Sequence, residues 1–354
     1  MSANPVVNVG IIGLGRSGWD IHARTLRTMP ECYRVVSVTD GDEKRSREAV
    51  AALRCRAHAS VELLFADSEV ELVVIASPSH VHADQTMAAL GRGKHVVCEK
   101  PMALSAADAD RMIDASVRAD RLLTVFHNMR YWGDFRTVRD VIASGSLGRI
   151  VQIKITMHRF TRRWDWQTLR EFGGGALFNA GAHLVDLALQ LFGDADPIIT
   201  ADLQRTITSG DAEDHAKILL RGEGAPTIEV EISNACAYPQ DTWHVMGTAG
   251  GLRGTHDALH WKWVDFASLP DRPVDRTPAA ADRRFNREDL PWQEASWVKG
   301  GEESPDYRLF YEDLYRSLRH DVPLAITPQS VRQTVAVLER ASLGTCAVPP
   351  TGDR

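Results

Sequence analysis

Apolar positions in the N-terminal third of the chain fall in short unbroken runs. Val6–Ile12, Val35–Val38, Leu72–Ala76, His95–Cys98 and Leu122–Phe126 lack the alternation of a half-buried strand. Continuous runs are expected of strands covered on both faces. Between them, Val81–Arg92 and Ala106–Ala119 carry apolar residues at helical spacing. Alternating strands and helices predict a parallel sheet with right-handed crossovers.

The pattern changes after Arg149. "RIVQIKITMHRF" alternates imperfectly, and "HAKILLRG", "TIEVEISNA" and "WHVMGTAGG" read as antiparallel strands with one covered face. The stretch Ala182–Phe192 reads as a helix. Trp263–Pro305 is rich in Pro, Asp and Arg and reads as irregular, and helical patterns close the chain over Tyr307–Leu318 and Ser330–Leu343. The 354 residues are too many for one ordinary core. The expected division is residues 1–127 and 128–354, with the closing helix free to pack back on the first domain.

Composition narrows the class. Hydrophobic residues are 44% and charged residues 25%, and the net charge is -6. There is no basic stripe, so nucleic acid is not an expected partner. No apolar run approaches the ~20 residues of a membrane span. The N-terminus lacks the charged start of a signal peptide. Cys32, Cys55, Cys98, Cys236 and Cys346 show no paired spacing, which points to reduced thiols and a cytoplasmic location rather than a disulfide or zinc framework.

Candidate chemistry starts at "VGIIGLGRSGWD". Gly13, Gly15 and Gly18 stand in G-x-G-x-x-G spacing between a strand and a probable helix start. Gly13 permits a tight turn, Gly15 lets backbone approach a pyrophosphate, and Gly18 lets the helix pack on the strand. Arg16 and Ser17 lie on the same turn, whose helix N-terminus offers N–H groups to phosphates. Asp40 ends the second strand about 20 residues later, where an acid binds ribose hydroxyls and repels a 2'-phosphate. NAD is therefore expected over NADP, with Arg45 able to soften the preference.

Two further elements carry charge where a core is expected. "EKPMALS" puts Glu99 and Lys100 at the end of an apolar strand, followed by Pro101. A salt bridge at the strand end is one reading; a ligand crevice, where strand C-termini meet in an open α/β sheet, is the other. In "NAGAHLVD", Asn179, His183 and Asp186 stand at i, i+4 and i+7, sharing one helical face after Gly173–Gly175. A capping Asn, a core His and a surface Asp would give the same spacing. His183 with Asp186 does not make a zinc set, and no metal is expected. The loop "RFTRRWDWQ" holds Arg159, Arg162, Arg163, Trp164, Asp165 and Trp166. The two tryptophans suit a sugar ring or an oligomer contact equally.

"GIIGLGRSG", "SPSHVHADQTMAALGRGKHVVCEKPMAL" and "GGGALFNAGAHLVDLALQLFG" together resemble the Gfo/Idh/MocA oxidoreductases, over nearly the whole chain. The resemblance implies an N-terminal Rossmann domain with a doubly wound parallel sheet. It also implies a C-terminal α+β domain on an open, mostly antiparallel sheet. It implies NAD- or NADP-linked hydride transfer to or from a secondary alcohol of a sugar, polyol or related cyclic alcohol, in a homodimer or homotetramer formed through the second sheet. By this resemblance Lys100 is the active-site lysine, with Glu99 and Pro101 beside it. Ser77, Pro78, His82 and Asn128 line the cofactor cleft, and Arg130 belongs to a further cleft segment. His183 and Lys100 share the proton acceptor and oxygen-binding roles in an order the sequence leaves open. Asn179 stands where the family often has Asp, and Asp186 is a candidate for the missing carboxylate. A redox-neutral, NAD-retaining glycosidase and a silent NAD-binding sensor are the alternatives; the Gly-Gly-His-Gly element of such glycosidases is missing, and Lys100 with His183 argues against a silent protein.

Overall fold

The computed structural model describes residues 6–276, 286–300 and 307–344. Six strands build a wholly parallel first sheet: β1 (Val7–Ile12), β2 (Tyr33–Thr39), β3 (Arg56–Ala57), β4 (Leu72–Ile75), β5 (His95–Cys98) and β6 (Leu123–Val125). Their order is β3-β2-β1-β4-β5-β6, the doubly wound arrangement with its switch point between β1 and β4. The unbroken apolar runs have their explanation here: every residue of β4 is buried.

Helices cover both faces. A π-helical turn, Ser17–Ala23, runs into α1 (Arg24–Arg27); α2 (Glu43–Leu53), α3 (Val61–Ala66), α4 (His82–Gly91) and α5 (Ala106–Ala119) follow. Local chemistry sets their ends. Ser105 caps α5 by accepting the Asp108 N–H, and Asp120 leaves it in the left-handed region at φ 50°.

The second half starts with α6 (Gly133–Ala143), an element the hydrophobic pattern does not single out. An eight-stranded sheet follows, comprising β7 (Ile150–His158), β8 (Ile198–Gln204), β9 (His215–Arg221), β10 (Thr227–Ser233), β11 (Trp243–Gly247), β12 (Gly250–Gly254), β13 (Ala258–Trp263) and β14 (Gln293–Val298). Its order is β14-β13-β12-β11-β7-β10-β9-β8. It is antiparallel except where β10 runs parallel to β7, which departs from the all-antiparallel reading of those segments. β14 also corrects the irregular reading of Trp263–Pro305; residues 277–285 and 301–306 of that stretch lie outside the described residues, as does Cys346.

One face of the second sheet packs against α7 (Ala176–Phe192), which starts six residues before the segment read as helical. The core holds Ile153, Ile155, Leu184, Val185, Ile218 and Val230. The last two helices tie the halves together. α8 (Arg308–His320) buries Phe310, Tyr311 and Leu314 in the first core. α9 (Pro328–Ser342) gives Val331 and Val335 to the first core and Val337, Leu338 and Ala341 to the second. Among the described residues no helix is long and apolar enough to cross a membrane.

Candidate active site

A cleft of about 730 Å³ opens at the C-terminal ends of the parallel strands, between the first sheet and the start of α7. Its floor is the glycine turn. Gly13 has φ +82°, and a Cβ there would strike the Ala76 carbonyl. Gly18 approaches the Gly13 carbonyl too closely for any side chain, whereas above Gly15 a Cβ would meet open space. That open cradle at a helix start is the feature a dinucleotide pyrophosphate requires, so the residues present fit such a group. Arg16 and Ser17 line the same end of the cleft; Gly18 serves packing and does not line it.

Asp40 lines the cleft beside the glycine turn. Its carboxylate accepts the Leu14 N–H at 2.6 Å and the Asp42 N–H at 2.8 Å, and Arg45 Nη1 lies 3.7 Å away. The acid is thereby fixed against the glycine turn and faces the cleft. Ser77, Pro78 and His82 line the middle. His82 reaches the Ser77 and Pro101 carbonyls at 2.9 and 2.8 Å, pinning the end of β4 to the turn after β5. Burial pushes the His82 pKa down.

Lys100 projects into the cleft from that turn. Its Nζ donates to Asn179 Oδ1 at 2.9 Å and to the Asn179 carbonyl at 3.2 Å. Burial lowers its pKa, opposed by the Glu99 charge and reinforced by Arg16 and Arg163. Glu99 is 6% exposed. Burial would raise its carboxyl, but the hydrogen bond from His22 at 3.2 Å and the Lys100 charge hold it down at about 2. Both charges of "EKPMALS" line the cleft, but the acid is tied back to His22 while the base reaches across to Asn179.

The positive φ of Gly175, 107°, turns the chain into α7, where the Glu213 carboxylate accepts the Leu177 N–H at 3.0 Å. This carries Asn179 to the cleft wall opposite Lys100. Asn179 Nδ2 donates to Gln167 Oε1 at 3.2 Å, the same oxygen that takes Arg163 Nη2 at 2.6 Å. Gln167, absent from the sequence-level candidates, links the lysine to the loop that carries Trp166. Its only sequence signal is its place in that Arg/Trp-rich loop.

His183 sits one turn beyond Asn179, half-buried and set back from the residues that line the cleft. Its ring centroid is 6.0 Å from that of His127. Burial, Lys100 and His127 hold its pKa well below the usual histidine range, so the imidazole is neutral near pH 7. Its Nδ1 is enclosed and finds no hydrogen-bond partner among the described residues.

Four candidates lie elsewhere. Asp186 and Arg130 face each other rather than the cleft, with the carboxylate 1% exposed and the Nε–Nη2 edge of the guanidinium on it. Asp186 therefore does not replace the carboxylate that Asn179 lacks. Asn128, two residues before Arg130, is buried and does not line the cleft. Trp164 is 79% exposed outside the cleft, while Trp166 lines it. Among the described residues no group of three His, Cys, Asp or Glu side chains is placed to hold a metal ion.

Known proteins share this arrangement. Residues 7–127 match the model of an oxidoreductase family with an NAD-binding Rossmann fold, and residues 135–253 match the Gfo/Idh/MocA C-terminal domain. The chain is 33% identical to an uncharacterized oxidoreductase of Schizosaccharomyces pombe, over 60% of its own length and 59% of that protein's, so it spans about three fifths of that relative. It is 30% identical to the scyllo-inositol 2-dehydrogenase (NADP(+)) of Bacillus subtilis over 95% of this chain and 92% of that one. An NAD-binding protein from Listeria innocua, 23% identical, superposes with a TM-score of 0.79 over 96% of each chain. With both domain models matched in order and a relative aligned from end to end, the chain belongs to the Gfo/Idh/MocA family of oxidoreductases.

Proposed function

We propose that this chain is an NAD-dependent dehydrogenase or reductase acting on a secondary alcohol, or its ketone, in a sugar, polyol or related cyclic alcohol. The observation that carries the reading is Lys100 Nζ on the cleft wall, held among the described residues by Asn179, with His183 one helical turn beyond that asparagine. A nicotinamide dinucleotide, when bound, supplies the hydride acceptor or donor. Gly13, Gly15, Arg16 and Ser17 would hold its phosphates and Asp40 its ribose hydroxyls, with Ser77, Pro78 and His82 lining the rest of its cleft. Lys100 hydrogen-bonds the substrate oxygen and stabilises alkoxide charge as it develops. His183, already unprotonated, takes the hydroxyl proton. Trp166 packs against the ring of the substrate.

NAD is favoured because the Asp40 carboxylate on the cleft wall would repel a 2'-phosphate. The Bacillus subtilis relative is named for NADP(+) and inositol. That supports a polyol substrate and makes cofactor choice a separate measurement. The division of labour near residue 127, and assembly through the second sheet, belong to the same reading. On that sheet Lys217 pairs with Glu229 and Glu231 at 2.9 and 3.2 Å.

The test is nicotinamide absorbance with NAD and NADP in turn against inositols, hexoses and their ketones. Cofactor-dependent turnover of at least one cyclic alcohol is expected. Tight cofactor binding without turnover of any would move the reading to a sensor.

A further inference from the structure

Lys100 is supported from behind by a buried hydrogen-bond chain that starts on α8. Tyr311 Oη lies 2.7 Å from His22 Nδ1, His22 Nε2 lies 3.2 Å from Glu99 Oε1, and Glu99 Oε2 accepts the Lys100 backbone N–H at 3.0 Å. Tyr311 and His22 are 0% exposed. The direction of the chain follows from the groups. Burial and the Glu99 charge push the Tyr311 pKa far up, so the phenol keeps its proton and donates to Nδ1. The imidazole then carries its proton on Nε2, aimed at Glu99; the tautomer is assigned from this network. Phe126 meets the His22 ring at 4.5 Å and Phe310 meets Phe126 at 4.8 Å, which closes the chain in an apolar wall.

We propose that His22 and Tyr311 are positioning residues for Lys100: they keep Glu99 a carboxylate, and so fix the charge and orientation of the lysine turn. The proposal rests on the reading of Lys100 as the group at the reacting oxygen. It reaches beyond the regions matched by the family models, which end at residue 253, whereas Tyr311 is on α8. His22 lies on the π-helical turn after the glycines, a rare geometry often found at functional sites.

The physical argument concerns one buried charge. A carboxylate at this depth needs donors; without them it takes up a proton. His22 supplies the side-chain donor and the Lys100 N–H the backbone one. The charged and titratable groups facing Lys100 are Glu99 beside it, Arg16, Arg163, His82, His127 and His183. Of these only Glu99 is an acid, so neutralising it removes the one charge that favours the ammonium form. A merely structural chain would change stability and leave the lysine's titration alone.

The experiment compares the full-length protein with His22→Phe, Tyr311→Phe and His22→Gln. The Lys100 pKa is read from the pH dependence of its acylation by an amine-reactive reagent, resolved at Lys100 by mass spectrometry. Melting temperature and the pH profile of turnover are measured on the same preparations. His22→Phe is expected to lower the Lys100 pKa by about one unit or more. The Lys100-dependent limb of the turnover profile should move down with it. Tyr311→Phe should shift both the same way by less, and His22→Gln, whose amide donates to Glu99 and accepts from Tyr311, should restore them. An unchanged Lys100 pKa in both Phe variants, with only the melting temperature lowered, would overturn the proposal. If His22→Phe does not fold, Tyr311→Phe decides alone. If the unmutated protein turns over no alcohol, the reading of the reaction falls, while the acylation measurement still decides the positioning.

Discussion

Arg130 and Asp186 meet edge to edge inside the protein. Nε donates to Oδ2 at 2.7 Å and Nη2 to Oδ1 at 2.6 Å, and Thr334 on α9 adds a hydroxyl at 3.2 Å. The pair thus joins the segment after β6 to α7 and α9, the elements that carry the two halves of the protein. It is a bidentate contact with Asp186 1% exposed, so it is screened little by solvent.

Breaking this pair from one side should be costly. Arg130→Leu leaves a buried carboxylate without its main partner, and about 3–5 kcal/mol of stability should be lost. The double change Arg130→Leu with Asp186→Leu should lose less than Arg130→Leu alone. The sign with pH is fixed too. Burial would raise the Asp186 carboxyl, but His127 and Arg130 hold it below its ordinary value. Its stability is therefore fully present above the ordinary carboxylate range and is lost as pH falls through the folded value. Urea unfolding from pH 7 to pH 3 should show the gap between unmutated protein and Asp186→Asn narrowing toward acid. A constant gap would contradict the linkage.

Lys100 and His183 are expected to act on one oxygen. Lys100→Ala should cut turnover by ~10²-fold or more and leave the fold intact, since among the described residues Nζ is held by Asn179. Dinucleotide affinity should change little. His183→Ala should have a similar effect, and the double variant should be little worse than either single one, because groups acting as a unit are not additive. Melting temperature and turnover on one preparation separate this from a structural ion pair. A Lys100→Ala protein that melts early and turns over normally per folded molecule would end the catalytic assignment.

Much of this was legible in the chain itself. Unbroken apolar runs mark strands covered on both sides, and the glycine spacing after β1 carries a turn that only glycine can make at Gly13 and Gly18. What the chain hides is depth. Asn179, His183 and Asp186 share a helical face, but seven residues are two turns, about 10 Å along the axis. One end reaches the cleft while the other is buried against Arg130. His22 and Tyr311 are 289 positions apart, and no local pattern joins them. β14 is obscured because it has no buried residue: Gln293, Glu294 and Ser296 are exposed and Ala295 and Trp297 are only half-buried, in a polar stretch just after Pro291.

Cofactor preference should follow Asp40. Its carboxylate is tied down by two backbone N–H groups and lines the cleft beside the glycine turn. A 2'-phosphate there would meet that charge, with half-exposed Arg45 the nearest cation. Asp40→Ala should weaken NAD(H) binding and narrow the ratio between the two cofactors. Titration of protein fluorescence with NADH and NADPH measures both. Tighter NADPH than NADH binding by the unmutated protein would refute the assignment.

The sharpest local test is Asn179→Asp. The substitution keeps the shape of the side chain and puts a carboxylate where Oδ1 now lies 2.9 Å from Lys100 Nζ. An opposite charge at that distance favours the ammonium form and should raise the Lys100 pKa by about one to three units. At present burial and two arginines push the other way, with Glu99 alone opposing them. The same new charge lies one helical turn from His183, so the His183 pKa should rise as well. Both limbs of the turnover profile should therefore move to higher pH. Turnover near neutral pH should fall if His183 becomes protonated before the reaction. Loss of the Gln167 contact is a side effect to be watched, because Asn179 Nδ2 now donates there. Gln167→Ala isolates it: that variant removes the contact without adding charge and should leave the limbs in place. Limbs that stay put in Asn179→Asp would mean that neither Lys100 nor His183 sets the pH dependence of the reaction.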